Sequence, residues 1–185
     1  ILHGGEGDDD LTRSGANAAE LYGENGNDVL RDNIGGNDTL DGGAGDDRVI
    51  HVSGADTLIG GAGIDTLALS ASAFAPNSGI TFNAASLSST TLFDGSTASG
   101  FERLNITTGA FADSITGGVY ADTISTGEGA DFVNGGDGND FIDFEELLHD
   151  SVITGGTGDD VIHLGEHADN NLVNGGDGRD ILDLD

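Results

Sequence analysis

The chain has 185 residues and carries 34 acidic side chains against five arginines and no lysine, for a formal net charge of −29. This balance excludes binding to nucleic acid or to anionic membranes through basic patches, and it favours cations as partners. The sequence has no cysteine for disulfides and no apolar run long enough to span a membrane. Its 33 glycines would indicate disorder if they were scattered, but they follow a pattern.

A hexapeptide rich in glycine and aspartate recurs along the chain, and each copy is followed by a short apolar run. The copies are GGEGDD (4–9), GENGND (23–28), GGAGDD (42–47), GGAGID (60–65), GGDGND (135–140), GGTGDD (155–160) and GGDGRD (175–180). A repeat of this regularity is typical of architectures in which each copy is one small structural unit that stacks on its neighbours. We therefore expect a stacked, repetitive fold.

The copies align on an aspartate at the sixth position, and most steps between aligned positions are nine residues long. The eighth position is always a large aliphatic residue. These residues are Leu11, Leu21, Leu30, Leu40, Val49, Leu58, Leu67, Ile115, Ile124, Val133, Ile142, Ile153, Ile162, Val173 and Leu182. Nine residues suit a turn followed by a short strand, with two such half-coils in a coil of about 18 residues and coils stacked about 4.8 Å apart. The sequence thus predicts an all-β fold with two facing aliphatic columns as its core.

The turns themselves predict a cation. Glycine reaches positive φ without strain, which allows a tight turn to aim several carbonyl oxygens at one point. Alternate motifs lie on the same edge of the stack, so two aspartates and several carbonyls face each other across one gap. A flexible set of roughly six hard oxygen ligands favours Ca²⁺ over Mg²⁺. The sequence offers no thiolates of the kind that favour zinc.

With these motifs, the sequence resembles the RTX (repeats-in-toxin, hemolysin-type) family over residues 4–67 and 113–185. The resemblance implies a right-handed parallel β-roll, a β-helix or solenoid of nine-residue GGxGxDxUx half-coils with calcium ions in the turns. It also implies the ligands. Each ion takes the carbonyls of positions two and four and the aspartate of one motif, and the carbonyls of positions one and three and the aspartate of the next motif on that edge.

Transferred to this chain, the resemblance implies three ions in the first half and three in the second. The ligand sets of the first half are Gly5, Gly7, Asp9, Gly23, Asn25 and Asp28; Glu24, Gly26, Asp28, Gly42, Ala44 and Asp47; and Gly43, Gly45, Asp47, Gly60, Ala62 and Asp65. Those of the second half are Gly118, Tyr120, Asp122, Gly135, Asp137 and Asp140; Gly136, Gly138, Asp140, Gly155, Thr157 and Asp160; and Gly156, Gly158, Asp160, Gly175, Asp177 and Asp180. Tyr120 stands where the family has a glycine.

The opposite edge departs from the pattern. Asp38 and Asp56 are predicted to share an ion there, with carbonyls from Ile34, Gly36, His51 and Ser53. Asp113 and Asp131 form a weaker pair, because Phe111 replaces a glycine.

Three turns of that edge lack the carboxylate, at Ala19, Ser151 and Asn171, and we expect no repeat-type calcium in them. The turns before Ser151 and Asn171 also contain two inserted residues each. The prediction for the whole chain is roughly seven or eight Ca²⁺ ions.

The inserted turns contain His149 and His167 close to acidic residues, namely Glu145, Glu146, Glu166 and Asp169. Either a second kind of metal site or a pair of solvated acidic loop tips fits this pattern. The run EELLH (145–149) lacks the order of the H-E-x-x-H motif, and the sequence contains no G-x-S-x-G motif or P-loop. We therefore expect no catalysis by this chain.

The repeat pattern predicts a division into three parts. Residues 1–68 and 113–185 are RTX blocks, and residues 69–112 are rich in serine, threonine and alanine and contain Pro76. Strand-like runs remain in the middle part at ITFN (80–83), TLF (91–93) and ERLNI (102–106). We expect calcium-free, long-looped coils that continue the roll there, and a linker is the alternative.

The resemblance implies a calcium-binding structural module of a secreted bacterial protein that is extracellular or on the cell surface. Its partners would be calcium and, in the full-length protein, a type I secretion apparatus, and the module would fold on calcium after export.

Two alternatives stay open. One is the C-terminal RTX module of a secreted protease, lipase or polysaccharide epimerase, where it would assist folding or hold polymer. The other is an adhesin or surface-layer segment with a polysaccharide or cell-surface partner. The sequence begins without a signal peptide and next to a repeat, so we expect a segment of a longer protein.

Overall fold

The structure is a computed structural model that describes residues 1–32, 35–70, 79–84, 90–144, 150–165 and 170–184. Its regular structure consists of short β-strands, and no helix among the described residues is long and apolar enough to cross a membrane. The chain divides into two compact units, residues 1–69 with 86–102 and residues 70–85 with 103–185.

The strands of the described residues are all six residues long or shorter. In chain order they are β1 (Leu2–Glu6), β2 (Asp10–Arg13), β3 (Glu20–Asn25), β4 (Val29–Asp32), β5 (Thr39–Ala44), β6 (Arg48–His51), β7 (Thr57–Ala62), β8 (Thr66–Ser70), β9 (Thr81–Asn83), β10 (Thr90–Thr91), β11 (Thr97–Ser99), β12 (Arg103–Thr107), β13 (Ser114–Thr116), β14 (Thr123–Thr126), β15 (Phe132–Asp137), β16 (Phe141–Phe144), β17 (Val152–Thr157), β18 (Val161–Leu164), β19 (Leu172–Asp177) and β20 (Ile181–Leu184).

In the first unit, successive strands alternate between two parallel sheets. One sheet has the order β1-β3-β5-β7-β11, and the other has the order β2-β4-β6-β8. Each coil therefore adds one strand to each sheet, as a parallel β-roll requires. The exception is β10, which pairs antiparallel with β11.

The second unit repeats this arrangement. One parallel sheet has the order β12-β14-β16-β18-β20, and the other has the order β9-β13-β15-β17-β19. The predicted all-β, parallel β-roll architecture is thus confirmed within each unit.

The core consists of the eighth-position residues, as predicted. From Leu11 to Ile162 each of them is at most 7% exposed, because alternate residues of a strand point to opposite faces. Val173 is half-buried and Leu182 is 50% exposed. Both lie on strands that pair on one side only among the described residues, which explains their greater exposure.

The strand-like runs of the middle part belong to different units. Residues 80–83 include β9, which pairs with β13, and residues 102–106 overlap β12, which pairs with β14. Of the run 91–93, only Thr91 is in a strand, and the strand that stacks on β7 is β11. Pro76 lies outside the described residues. The three-part division at residues 68 and 112 stays a prediction.

Candidate calcium sites in the turns

The regular spacing of the motifs places their turns on one edge of each unit, which we call the first edge. It comprises the turns 4–9, 23–28, 42–47 and 60–65 of the first unit and 117–122, 135–140, 155–160 and 175–180 of the second. The remaining turns, which lead back to the other sheet, form the second edge. The predicted ligands are described edge by edge.

The strand register stacks equivalent motif positions on one another. Position two stacks on position two and position three on position three in both units. The pairs are Gly5 with Glu24, Glu24 with Gly43, Asn25 with Ala44, Ala44 with Ala62, Gly136 with Gly156, Asp137 with Thr157, Gly156 with Gly176 and Thr157 with Asp177. The structure thus brings together the residues that the sequence assigned to shared ions.

The first-edge aspartates form ladders of hydrogen bonds. The backbone N–H of each position-six aspartate donates to Oδ1 of the position-six aspartate in the next coil. The N···O distances are 2.8 Å for Asp9–Asp28 and Asp28–Asp47, 2.7 Å for Asp47–Asp65, 2.8 Å for Asp122–Asp140 and Asp140–Asp160, and 3.2 Å for Asp160–Asp180. One carboxylate oxygen of each aspartate that accepts such a bond therefore holds two coils together.

The second oxygen of most of these carboxylates is buried without a hydrogen bond from any described residue. This holds for Oδ2 of Asp9, Asp28, Asp47, Asp65, Asp140 and Asp160. At Asp122, Oδ2 accepts a hydrogen bond of 2.6 Å from the Gly118 N–H. A buried carboxylate oxygen without a partner is costly. Such an oxygen is the hard donor that Ca²⁺ requires.

Glycine is required at position one because oxygens of two coils converge there. A Cβ at Gly4 would lie 2.7 Å from Asp9 Oδ2 and 2.8 Å from the Gly23 carbonyl oxygen. A Cβ at Gly135 would overlap Asp140 Oδ2 and the carbonyl oxygen of the following motif in the same way. The carboxylate and the position-one carbonyl of the next coil thus point into one space.

The carbonyls of positions two and four approach that space from the preceding coil. Gly43 and Gly45 have φ of 105° and 133°, and a Cβ on either would overlap the carbonyl of the equivalent residue in the preceding coil. Glu24 occupies position two with φ of 78°, a conformation that a non-glycine residue rarely adopts. The Tyr120 carbonyl, at position four, lies 2.8 Å from where a Cβ of Gly138 would be.

The position-three carbonyls have one hydrogen bond each and keep one lone pair. The Asn25 carbonyl accepts from the Gly7 N–H at 2.8 Å, and the Thr157 carbonyl accepts from the Gly138 N–H at 2.8 Å. The predicted donors of positions one to four and six therefore lie in facing turns of successive coils. Their oxygens fit Ca²⁺ in number and in chemistry.

The first-edge carboxylates are in an unfavourable environment without a cation. Burial, and after it the neighbouring carboxylates of Asp122 and Asp160, raises the pKa of Asp140 to about 7. Burial likewise raises the pKa of Asp65 and of Asp122 to about 6. The charged, ion-free form of these groups therefore destabilises the folded state at neutral pH, and protons or a cation would relieve that cost.

Two residues outside the predicted ligands extend the first unit's first edge. Asp65 N–H donates to Glu102 Oε2 at 2.9 Å, so Glu102 occupies the place of a position-six aspartate. A Cβ at Gly60 would overlap the Gly100 carbonyl oxygen, as position one does in the repeats. The sequence analysis did not assign these residues, because the turn GFE lacks the repeat spacing.

A second ladder, at position five, was also missed. Here the N–H of the later coil donates to the side chain of the earlier coil, opposite in direction to the position-six ladder. Examples are Asn27 N–H to Asp8 Oδ1 at 2.8 Å and Asp159 N–H to Asn139 Oδ1 at 2.9 Å. The recurrence of aspartate or asparagine just before the position-six aspartate was the available signal, since these side chains readily bond to backbone N–H groups.

On the second edge of the first unit, the structure brings Asp38 and Asp56 together. The Asp38 N–H donates to Asp56 Oδ1 at 2.7 Å. A Cβ at Gly54 would overlap the Gly36 carbonyl oxygen, so that predicted donor also points toward the next coil. Ser53 is half-buried, and Ile34 lies outside the described residues.

His51 has a role that was not predicted. Its Nδ1 lies 3.1 Å from Asp56 Oδ2, and its Nε2 lies 2.6 Å from Asp94 Oδ2. The Asp56 N–H donates to Ser96 Oγ at 2.9 Å, so Ser96 takes the place of a position-six residue. The turn between β10 and β11 supplies Asp94 and Ser96, which the sequence analysis placed in calcium-free coils.

On the second edge of the second unit, the ladder begins with aspartates and continues through residues that lack a carboxylate. The Asp113 N–H donates to Asp131 Oδ1 at 2.8 Å, and the Asp131 N–H donates to Ser151 Oγ at 2.9 Å. The Ser151 N–H donates to Asn171 Oδ1 at 3.0 Å. Serine and asparagine thus keep the coil-to-coil bond and lack the charge.

The remaining predictions for this edge concern Phe111 and the inserted turns. A Cβ at Gly129 would lie 2.6 Å from the Phe111 carbonyl oxygen, so this backbone follows the repeat although the side chain is 44% exposed. The histidines and acidic residues of the inserted turns lie outside the described residues: His149, His167, Glu145, Glu146, Glu166 and Asp169.

Comparison with known proteins agrees with this geometry. The family model of the RTX calcium-binding nonapeptide repeat (4 copies) matches about two thirds of the chain. The matched residues are 1–17, 22–51, 52–71, 107–142 and 167–185. No curated protein matches the chain significantly. The chain therefore belongs to the RTX calcium-binding nonapeptide repeat family, and it is a calcium-binding β-roll module.

Proposed function

We propose that the chain is a structural module of a secreted bacterial protein that is exported unfolded through a type I secretion apparatus and folds on calcium outside the cell. The observation that carries this proposal is the set of first-edge aspartates whose Oδ2 atoms are buried without a partner. RTX repeats are typical of secreted bacterial proteins, which supports an extracellular location.

The charge supports a folding switch. The formal net charge of −29 is concentrated in turns where carboxylates of successive coils face each other. At low free calcium, as inside a cell, their repulsion and burial oppose folding. The core is thin, since most half-coils of the repeats bury one large aliphatic residue, and it offers little to offset this cost.

Calcium binding can contribute a free energy as large as the stability of a folded domain. A site with a Kd ten times below the free calcium concentration stabilises the folded state by about 1.4 kcal/mol. Roughly seven or eight such sites would contribute about 10 kcal/mol, which is comparable to the whole stability of a domain. The same ions would neutralise about half of the net charge.

The role is structural rather than catalytic. Apart from Asp9, the first-edge carboxylates that could serve as acids or bases each accept a coil-to-coil hydrogen bond through Oδ1. Groups held in such a ladder are occupied in stacking the coils. Assays for ester and peptide hydrolysis with and without calcium should give no activity.

Far-UV circular dichroism of the calcium-stripped chain tests the switch. We expect little β-structure in chelator and a β spectrum in millimolar calcium. Magnesium at the same concentration should substitute poorly because it requires stricter geometry. Sodium chloride at matched ionic strength controls for screening. A β spectrum of the same intensity in chelator and in calcium would contradict the proposal.

A further inference from the structure

Three buried carboxylates meet on the second edge of the first unit. Asp32, Asp38 and Asp56 are at most 2% exposed, and one oxygen of each lies within 4.8 Å of those of the other two. Asp38 and Asp56 are position-six residues of the repeat, and Asp32 is not. Asp32 is the last residue of β4, where the step from Asp28 to Asp38 is one residue longer than the nine-residue period.

Asp38 presents an unpaired oxygen to this cluster. Its Oδ1 accepts a hydrogen bond from the Ala19 N–H. Its Oδ2 is buried and accepts no hydrogen bond from the described residues. A buried oxygen with this environment indicates a missing cation or proton.

The neighbouring histidine does not supply the charge that the cluster needs. The His51 imidazole faces Asp56 and Asp94, at 3.1 Å and 2.6 Å. A protonated imidazole offsets one negative charge, and four carboxylates surround it and the cluster. Since both ring nitrogens face carboxylates, His51 acts as a support that holds Asp56 in place. The atoms left to bind a cation are hard oxygens.

Backbone oxygen is available beside the carboxylates. The Gly36 carbonyl points toward the coil that carries Asp56, since a Cβ at Gly54 would overlap it. The donors are thus three carboxylates and at least one carbonyl, a set that favours Ca²⁺ over softer metals.

We propose that Asp32, Asp38 and Asp56 form a calcium site with three carboxylates, one of which lies outside the repeat. Calcium affinity rises with the number of charged ligands, and a repeat site has two. This site therefore binds calcium about tenfold more tightly than the first-edge sites and keeps its ion longest as free calcium falls. It is separate from the first-edge ladders and does not require that they bind calcium.

Asp32→Asn tests the proposal, with Asp10→Asn as the matched control. Asp10 is an exposed aspartate on β2 of the same unit and lies outside the cluster, so the two variants lose the same charge. Calcium bound per chain is measured by equilibrium dialysis over a range of buffered free calcium. We expect Asp32→Asn to weaken the tightest binding step of the wild type about tenfold, because the site then keeps two carboxylates, like a repeat site. A tightest step equal to that of Asp10→Asn would overturn the proposal.

Crystals of the unaltered chain provide a test that does not depend on a folded variant. Anomalous scattering from terbium used in place of calcium should give a peak between the three carboxylates. Peaks along the first edge without one at this cluster would overturn the proposal. A peak at the cluster without peaks along the first edge would support it and would contradict the proposed ladder function.

Discussion

The second edges of the two units share the coil-to-coil hydrogen bond at position six but differ in the chemistry beside it. In the first unit, the last residues of the short strands β4 and β6 are the buried Asp32 and His51. In the second unit, Phe144 and Leu164 occupy the corresponding column on β16 and β18 and are paired in register. In the first unit, the buried residues at the ends of these strands are therefore charged or titratable, and position six of that edge carries aspartates. In the second unit, the corresponding residues are apolar, and position six includes serine and asparagine.

The difference separates two tasks of the position-six residue. Every such residue from Asp113 to Asn171 accepts an N–H from the preceding coil through a side-chain oxygen. Only an aspartate has a second, charged oxygen for an ion. Where an apolar column stabilises the coil, accepting this hydrogen bond is sufficient, and no charged oxygen for an ion is needed. The predictions below distinguish these tasks, from the largest expected effect to the smallest.

The apolar column should carry much of the second unit's stability. Phe144 is fully buried, and Phe144→Ala should lower the free energy of unfolding by about 3–5 kcal/mol in saturating calcium. The calcium count should not change, because Phe144 offers no ligand. Urea unfolding measures the loss, and Phe141→Ala, on the same strand but 43% exposed, is the control. Equal losses for the two variants would show that the column is not the support.

The charged ladder should respond differently. Asp160→Ala removes the acceptor of the Asp140 N–H and a ligand predicted to serve two ions, toward Asp140 and toward Asp180. We expect a loss of about 3–4 kcal/mol, from two weakened sites and one hydrogen bond. Asp160→Asn keeps an acceptor oxygen and should lose less.

Calcium titration followed by circular dichroism measures both Asp160 variants. The calcium midpoint should rise most for Asp160→Ala and less for Asp160→Asn. Asp180→Ala, which touches one predicted ion in an exposed terminal coil, should shift it less than Asp160→Ala. Identical midpoints for Asp160→Ala and Asp180→Ala would rule out a shared ligand.

The core residues and the ladder residues could largely be predicted from the sequence, because each half-coil of the nine-residue period has the same turn and the same short strand. The period placed Leu30 and Ile142 in the core and Asp28 and Asp160 in ladders. It also identified Ser151 and Asn171 as turns without a carboxylate, although not their role as acceptors.

The contacts that fall outside the period were not predictable in this way. His51 and Asp94 are 43 residues apart in the sequence and meet through the turn between β10 and β11. Asp32 reaches its cluster where the step is longer than nine residues. Neither position has a local signal, since the partner is set by stacking rather than by the motif.

Acidic pH should partly replace calcium on the charged ladder. The folded, calcium-free state holds Asp140 with its pKa at about 7 and Asp65 at about 6, against about 4 in an unfolded chain. It therefore binds more protons than the unfolded chain between about pH 4 and pH 7, and its stability falls as pH rises through that window.

Far-UV circular dichroism of the calcium-stripped chain at pH 7.5, 6.5 and 5.5 measures this effect. The β signal should rise toward pH 5.5, and the additional β signal on adding calcium should shrink, because calcium then competes with protons. A calcium-stripped chain that is less stable at pH 5.5 than at pH 7.5 would contradict the assigned environment of these carboxylates.

The smallest effect is expected at Asn171. Asn171→Ala removes the acceptor of the Ser151 N–H, a neutral bond that contributes about 1 kcal/mol. It also removes the Asn171 Nδ2 donor, which is buried without a hydrogen bond to any described residue, so part of the loss is offset. The calcium midpoint should stay close to that of the wild type, since no carboxylate is lost. Asn171→Asp keeps the acceptor oxygen and adds the charge, and it should raise the midpoint because Ser151 provides no second carboxylate to share an ion. A midpoint shift for Asn171→Ala as large as that of Asp160→Ala would mean that the second edge of this unit carries a calcium ladder after all.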